Sequence, residues 1–279
     1  MHTPVSTVVV VHAHPDDEAI FTGATIHQLA RSGVRVVVVT ATDGDAGIPQ
    51  VPLRGGETIA DRRRAELERA CELLGVQRLV MLGYRDSGAH RGGPYPVGSL
   101  GAARVSEVTR RVADVAREEG AEAIIHYDRG GIYGHVDHIQ VHRASRLAAE
   151  ALGITGYEAT VDGDQIRRNP MHVLRAAAAT SDPLGVAPAT ISLSVNATPA
   201  ALLAKMAAMT AHASQITVDY LDPARFAEVY GDEWFVRRGE PGPLERHLAR
   251  PAVPAPASFT GMPALPTPTA APALTAAGV

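Results

Sequence analysis

Two clusters of histidine and carboxylate stand out in this chain of 279 residues. The first runs His12, His14, Asp16, Asp17 and Glu18, with Pro15 among them; the second runs His135, Asp137 and His138, with His142 one helical turn further on. His14 and Asp17 are three residues apart, as are His135 and His138, so each pair can face one point from a single turn. Two imidazoles and one carboxylate leave a tetrahedral zinc ion one open position for water, the pattern of a catalytic rather than a structural site. Taken singly, each residue has a plainer explanation. Acids at a helix start favour the positive end of its dipole, and a lone histidine beside an apolar strand is usually a satisfied core or surface residue. The coincidence of two such clusters, each at a strand end, is what points to metal. His12 reads equally as a support for a ligand or as an ordinary buried histidine. His126 and His142 read as structural.

The clusters need elements that bring them together. Val8 to Val11 is an uninterrupted β-branched run with no polar face, which predicts a fully buried strand ending near His14. Pro15 fits the first turn of a helix that follows, with Asp16, Asp17 and Glu18 at its start. Ala123 to Asp128 predicts a second such strand. The loop Arg129 to Gly134 has two adjacent glycines, and Gly134 to His142 opens the next helix. Helical patterns over Asp17 to Ser32, Thr58 to Leu74, Ala102 to Glu119 and Asp137 to Leu152 alternate with strands over Val8 to His12, Arg35 to Thr40, Arg78 to Leu82 and Ala123 to Tyr127. This is the alternation of an α/β fold, a Rossmann-like doubly wound and mostly parallel sheet. Parallel strands present their C-terminal ends on one edge, so His14 and Asp17 can meet His135, Asp137 and His138 there. Further on, strands are expected over Gly156 to Thr160 and Thr190 to Val195. Thr198-Pro199 caps a helix to about Ala213, Asp222-Pro223 caps a short one, and the Ala-rich stretch around Leu174 to Thr180 is unassigned.

Composition narrows the function classes. A net charge of −4 gives no nucleic-acid footprint and no basic membrane surface. The single Cys71 excludes an internal disulfide, fits a reducing compartment and falls in a helix where it packs into the core. The N-terminus lacks a basic region and its apolar run is too short for a membrane span, so a cytoplasmic protein is expected. One domain over 1–249 is expected, followed by a Pro/Ala-rich tail over 250–279 that carries no charge after Arg250 and reads as disordered.

His14-Pro15-Asp16-Asp17-Glu18 followed by Gly134-His135-Val136-Asp137-His138 resembles the two signature motifs of the PIG-L/LmbE-like zinc deacetylases, which remove acetyl groups from N-acetylglucosaminyl substrates. Thr40 to Gly47, Arg62 to Gly75 and Leu82 to Gly88 are similar to further family segments. So are Lys205, Ala208, His212, Ser214 and Gln215. Val136 stands where the family commonly has proline, Asp45 where it has glutamate, and Ala89 where some members have methionine. The loop Ala89 to Gly101, with His90, Arg91 and Tyr95, has no counterpart and is expected to border the substrate.

The resemblance implies His14, Asp17 and His138 as zinc ligands, in a set that also accepts iron(II) or another divalent ion. It implies Asp16 as general base and His135 as acid or oxyanion stabiliser. Asp137 would orient His135 and favour its charged form, and Tyr133 would add a hydroxyl donor. Arg63, Arg64 and Asp86 are the expected substrate-binding residues. The implied function is removal of an N-acetyl group from an N-acetylglucosaminyl-type sugar or glycoconjugate. The alternatives are an amidase that cleaves a larger acyl group from a glucosaminyl conjugate, and a metal-bound carbohydrate-binding protein without turnover. Asp16 and His135 argue against the last, since neither is needed to hold metal.

Overall fold

The computed structural model describes residues 5–88, 94–179, 184–218 and 221–248. The expected tail over 250–279 lies outside these residues, as do His90 and Arg91 of the loop after Gly88. β1 (Thr7–His12) leads into α1 (Asp17–Arg31), β2 (Arg35–Thr42) into α2 (Ile59–Leu74) and β3 (Arg78–Tyr84) into α3 (Val105–Glu118). β4 (Ala123–Tyr127) leads through the four-residue α4 (Gly131–Gly134) into α5 (Val136–Leu152). Then come β5 (Thr155–Thr160), the short α6 (Gly163–Arg168) and α7 (Arg175–Ala178), and β6 (Leu193–Asn196). α8 (Pro199–Ala211), α9 (Pro223–Tyr230), β7 (Asp232–Arg238) and α10 (Pro243–Leu248) complete the order.

The strands form one sheet in the order β3-β2-β1-β4-β5-β7-β6. β1 to β5 pair in parallel, whereas β7 runs antiparallel to both β5 and β6. The two valine runs explain the centre of the sheet. Val8, Val10, Val36 and Val38 join a core with Ile26, Leu29, Leu67 and Met209, under α1, α2 and α8. Val9, Val11, Val37 and Val39 join the opposite core with Val108, Val112, Ala144 and Ala148, under α3 and α5. A strand with a helical layer on each face has no polar side to alternate with, which is why the sequence reads as continuous valine. The chain order reverses direction between β1 and β4, and a crevice opens at their C-terminal ends.

Three differences from the sequence reading have physical causes. β7 was not expected there. Its sequence, DEWFVRR, carries charge at both ends of a short apolar centre, and it is held by pairing to β5 and β6 rather than by a pattern of its own. α3 starts at Val105 because Leu100–Ala102 forms a separate 3₁₀ turn. Pro15 stands outside α1, and Asp16, not Pro15, makes the turn into the helix. No helix among the described residues is long and apolar enough to cross a membrane.

Candidate active site

The crevice between β1 and β4 gathers both clusters. His14 leaves β1 as its backbone N–H donates to Asp17 Oδ2 at 2.9 Å, so the turn that carries both residues is tied to itself. From β4, Tyr127 reaches across: its hydroxyl donates to the same Asp17 oxygen at 2.7 Å and accepts from the Ala13 N–H at 2.7 Å. Tyr127 also stacks on the His138 ring, centroids 4.1 Å apart and planes 7° from parallel. His138 sits in the first turn of α5. Gly131 lies against it at φ +61°, where an added Cβ would come 2.7 Å from the His138 Cβ, so only glycine lets the loop pass.

Three donor atoms form a near-equilateral triangle. His138 Nε2 is 3.2 Å from His14 Nδ1 and 3.4 Å from Asp17 Oδ2, and His14 Nδ1 is 3.4 Å from Asp17 Oδ2. Donors tetrahedrally placed about 2.0–2.1 Å from zinc would lie about 3.3–3.4 Å apart. The residues therefore fit a metal of that size. Electrostatics agrees. Burial alone would lower the pKa of His14, but Asp137, Asp17 and Asp86 hold it well above the usual histidine range. Burial would raise Asp17, yet the His138 and His14 rings hold its carboxyl well below the usual range. The crevice is built to stabilise positive charge at this point.

The far nitrogen of His14 faces carboxylates, with Nε2 3.3 Å from Asp137 Oδ2 and 3.5 Å from Asp86 Oδ1. A carboxylate behind a metal-binding imidazole fixes its orientation and tautomer. Asp137 itself is held by the Ser87 N–H at 2.9 Å and the Ser87 hydroxyl at 2.5 Å. The Asp137 carboxylate therefore does not hold the His135 ring as expected, and although it does favour the ring's charged form, burial and other neighbours outweigh it. His135 instead caps α5, its Nδ1 accepting the Asp137 backbone N–H at 3.2 Å. Burial, together with the neighbouring His14 and His138, pushes His135 down to about 4. A neutral imidazole whose Nδ1 accepts must carry its proton on Nε2. His14, His135 and His138 do each offer a nitrogen within 4.8 Å of the others, and the Nδ1 of His135 is already engaged by the Asp137 N–H.

Asp16 lines the same cavity of about 250 Å³ as His14, Asp17, Tyr133 and His135. Its backbone takes φ +113°, ψ −29°, a conformation that costs a residue with a side chain about 1–3 kcal/mol. Burial pushes its carboxyl up to about 6 despite the Arg63 guanidinium beside it. Arg63 is buried and bonds Asp16 Oδ2 at 3.2 Å, the Pro15 carbonyl at 2.5 Å and the Gly44 carbonyl at 3.0 Å. Arg64 points elsewhere. Its side chain is 63% exposed and pairs with Glu68, so the structure does not bring it to the cavity. Asp86 lines the cavity, and the Tyr133 hydroxyl is 3.4 Å from His138 Nε2.

Sequence reasoning missed Tyr127 and Ser87. Neither has a spacing signal, because each acts on a motif residue far away in the chain. Of the other histidines weighed from the sequence, His12 bonds Thr22 at 2.8 Å, and His126 and His142 both contact the Tyr127 carbonyl, as buried structural groups do.

Similarity to known proteins agrees with this geometry. The PIG-L family, described as GlcNAc-PI de-N-acetylase, matches residues 9–149. A 1D-myo-inositol 2-acetamido-2-deoxy-alpha-D-glucopyranoside deacetylase of Kineococcus radiotolerans is 36% identical over 255 residues, covering 78% of this chain and 70% of its own length. Its namesake in Thermobispora bispora is 35% identical over 273 residues, 85% of this chain and 89% of that protein. Among solved structures, the A40926 pseudoaglycone deacetylase shares the fold with a TM-score of 0.60 at 20% identity, over 87% of this chain and 98% of that one. With two relatives above the identity at which a family is secure, and with the site's donors at the β1 and β4 ends, the chain belongs to the PIG-L family and is an amide hydrolase of the N-deacetylase type.

Proposed function

We propose that this protein is a metal-dependent deacetylase whose substrate is an N-acetylglucosaminyl conjugate, with zinc as the ion. The observation that carries the reading is the triangle of His14 Nδ1, Asp17 Oδ2 and His138 Nε2 with a half-buried carboxylate, Asp16, on a strained backbone beside it. His14, Asp17 and His138 would hold the ion. When bound, it supplies Lewis acidity, polarising an amide carbonyl and making water acidic enough to deprotonate near neutral pH.

The chain's own residues do the rest. Asp16, raised toward neutrality by burial, accepts a proton from the attacking water and holds it for the departing nitrogen. His135 presents its Nε2–H to the oxygen on which negative charge develops, a role suited to a neutral ring whose tautomer is set by its capping bond. The Tyr133 hydroxyl lies at the same side of the cavity. The named activity of the two relatives makes a glucosaminyl inositol conjugate the first substrate to try. The test is acetate release from a panel of N-acetylglucosaminyl conjugates, with and without chelator. Release abolished by chelator and restored by zinc is the expected result; turnover confined to longer acyl groups would favour the amidase reading.

A further inference from the structure

Asp16 sits in a backbone conformation that it would leave if nothing held it, and the holds come from three helices. Its N–H donates to Glu18 Oε2 at 3.0 Å. The other Glu18 oxygen, Oε1, lies 2.6 Å from Nε2 of His212, a residue 194 positions away at the C-terminal end of α8. Both side chains are fully buried. A carboxylate on a helix-start N–H is ordinary when it is solvated. Removed from water, it needs a partner, and here a different helix supplies one.

The end of α8 is itself fastened to α2. Ser214 donates to Glu66 through its N–H at 3.0 Å and its hydroxyl at 2.7 Å. Glu66 lies one helical turn after Arg63, which grips Pro15 and Asp16 from the other side. Burial would lower the pKa of His212, but the Glu18 carboxylate beside it outweighs burial and raises it.

We propose that Glu18 and His212 are positioning residues for Asp16: through the Asp16 N–H, this buried pair keeps the base's strained backbone, and hence its carboxylate, aimed into the cavity. The inference rests on the reading of Asp16 as general base. Neither side chain lines the cavity beside the donor triangle, so the pair acts on turnover and not on metal affinity.

The test uses the zinc-loaded full chain and the acetamido sugar that gives the highest acetate release. His212→Ala leaves the Glu18 charge buried alone and folds poorly, so His212→Gln, which keeps a donor, and Glu18→Gln, which keeps an acceptor for the Asp16 N–H, carry the experiment. Each should bind a full equivalent of zinc, keep KM within about twofold and lose about 10- to 100-fold in kcat, the size expected of a base displaced by about 1 Å. Glu18→Ala should lose more than Glu18→Gln. Amide hydrogen exchange at Asp16 should speed up in all three. In the double variant Asp16→Asn/His212→Gln, turnover should fall no further than in Asp16→Asn, since the misplaced group is already gone. Additive losses, loss of zinc, or full kcat in folded His212→Gln would overturn the proposal. Should Asp16→Asn itself keep full turnover, the base reading fails instead.

Discussion

At the residue scale, the site divides its carboxylates by surroundings. Asp17 is held ionised by two imidazoles, whereas Asp16, one position earlier, is pushed up to about 6 by burial. One is suited to hold a cation and the other to move a proton. Replacing His138 with alanine should therefore cost bound zinc, measured by metal analysis after dialysis; a His138→Ala protein with full zinc would remove it from the ligand set. Asp16→Asn, in contrast, should keep its zinc and lose about 10²- to 10⁴-fold in kcat, because the amide has the carboxylate's shape but cannot take a proton. Wild-type turnover in that variant would hand the role to another group. His135 shows how a backbone bond selects chemistry: the capping bond that starts α5 also decides which ring nitrogen faces the cavity as a donor.

At the element scale, α1 depends on a strand that the hydrophobic pattern does not announce. Glu233, on β7, accepts the N–H groups of Ala24 and Thr25 in the middle of α1, both at 2.8 Å. Lys205 of α8 lies 2.7 Å from the same carboxylate, and its stem crosses α1 at Gly23, where an added Cβ would meet it at 3.1 Å. Both charged side chains are about 1% exposed. Removing one partner of such a pair leaves the other buried and unpaired. Glu233→Ala should cost about 3–5 kcal/mol, read as a lowered midpoint in urea unfolding. Lys205→Met combined with Glu233→Gln, which takes away both charges, should recover part of that loss. An unchanged midpoint in Glu233→Ala would show that the pair contributes nothing to the packing of β7 on α1.

For the molecule as a whole, acid stability follows from histidines buried without a carboxylate partner. Burial, with help from the neighbouring His142, holds His126 down to about 3, and burial with the nearby Lys205 holds His172 down to about 3, against 6.5 for the ordinary group. Between those values the unfolded chain binds protons that the folded one does not, so stability rises with pH across the window and is lost as pH falls below about 6.5. Each group contributes a slope of up to about 1.4 kcal/mol per pH unit. The midpoint of thermal unfolding should fall between pH 6.5 and pH 4.5, and His172→Gln should make that fall shallower. An identical pH dependence in the variant would mean that His172 is not neutral in the folded state.

The β1 and β4 strands, the helices after them, the parallel sheet and the two donor clusters were legible because each is written locally. A continuous valine run reads as a strand covered on both faces, and it is the recurrence of histidines and acids at two such strand ends that marks the site. What the chain order could not show is which groups act on the clusters from a distance. Tyr127 on Asp17, Ser87 on Asp137, Arg63 on Asp16 and His212 on Glu18 are contacts between residues 47 or more positions apart whose partners carry no shared period. The choice between His135 and His138 is of the same kind. The two are alike in type and sit in one motif, but in the fold the α5 cap occupies a nitrogen of His135 whereas His138 closes the donor triangle. Local pattern reports what a segment must bury; the direction in which a polar side chain points is decided by whichever distant group satisfies it once water is excluded.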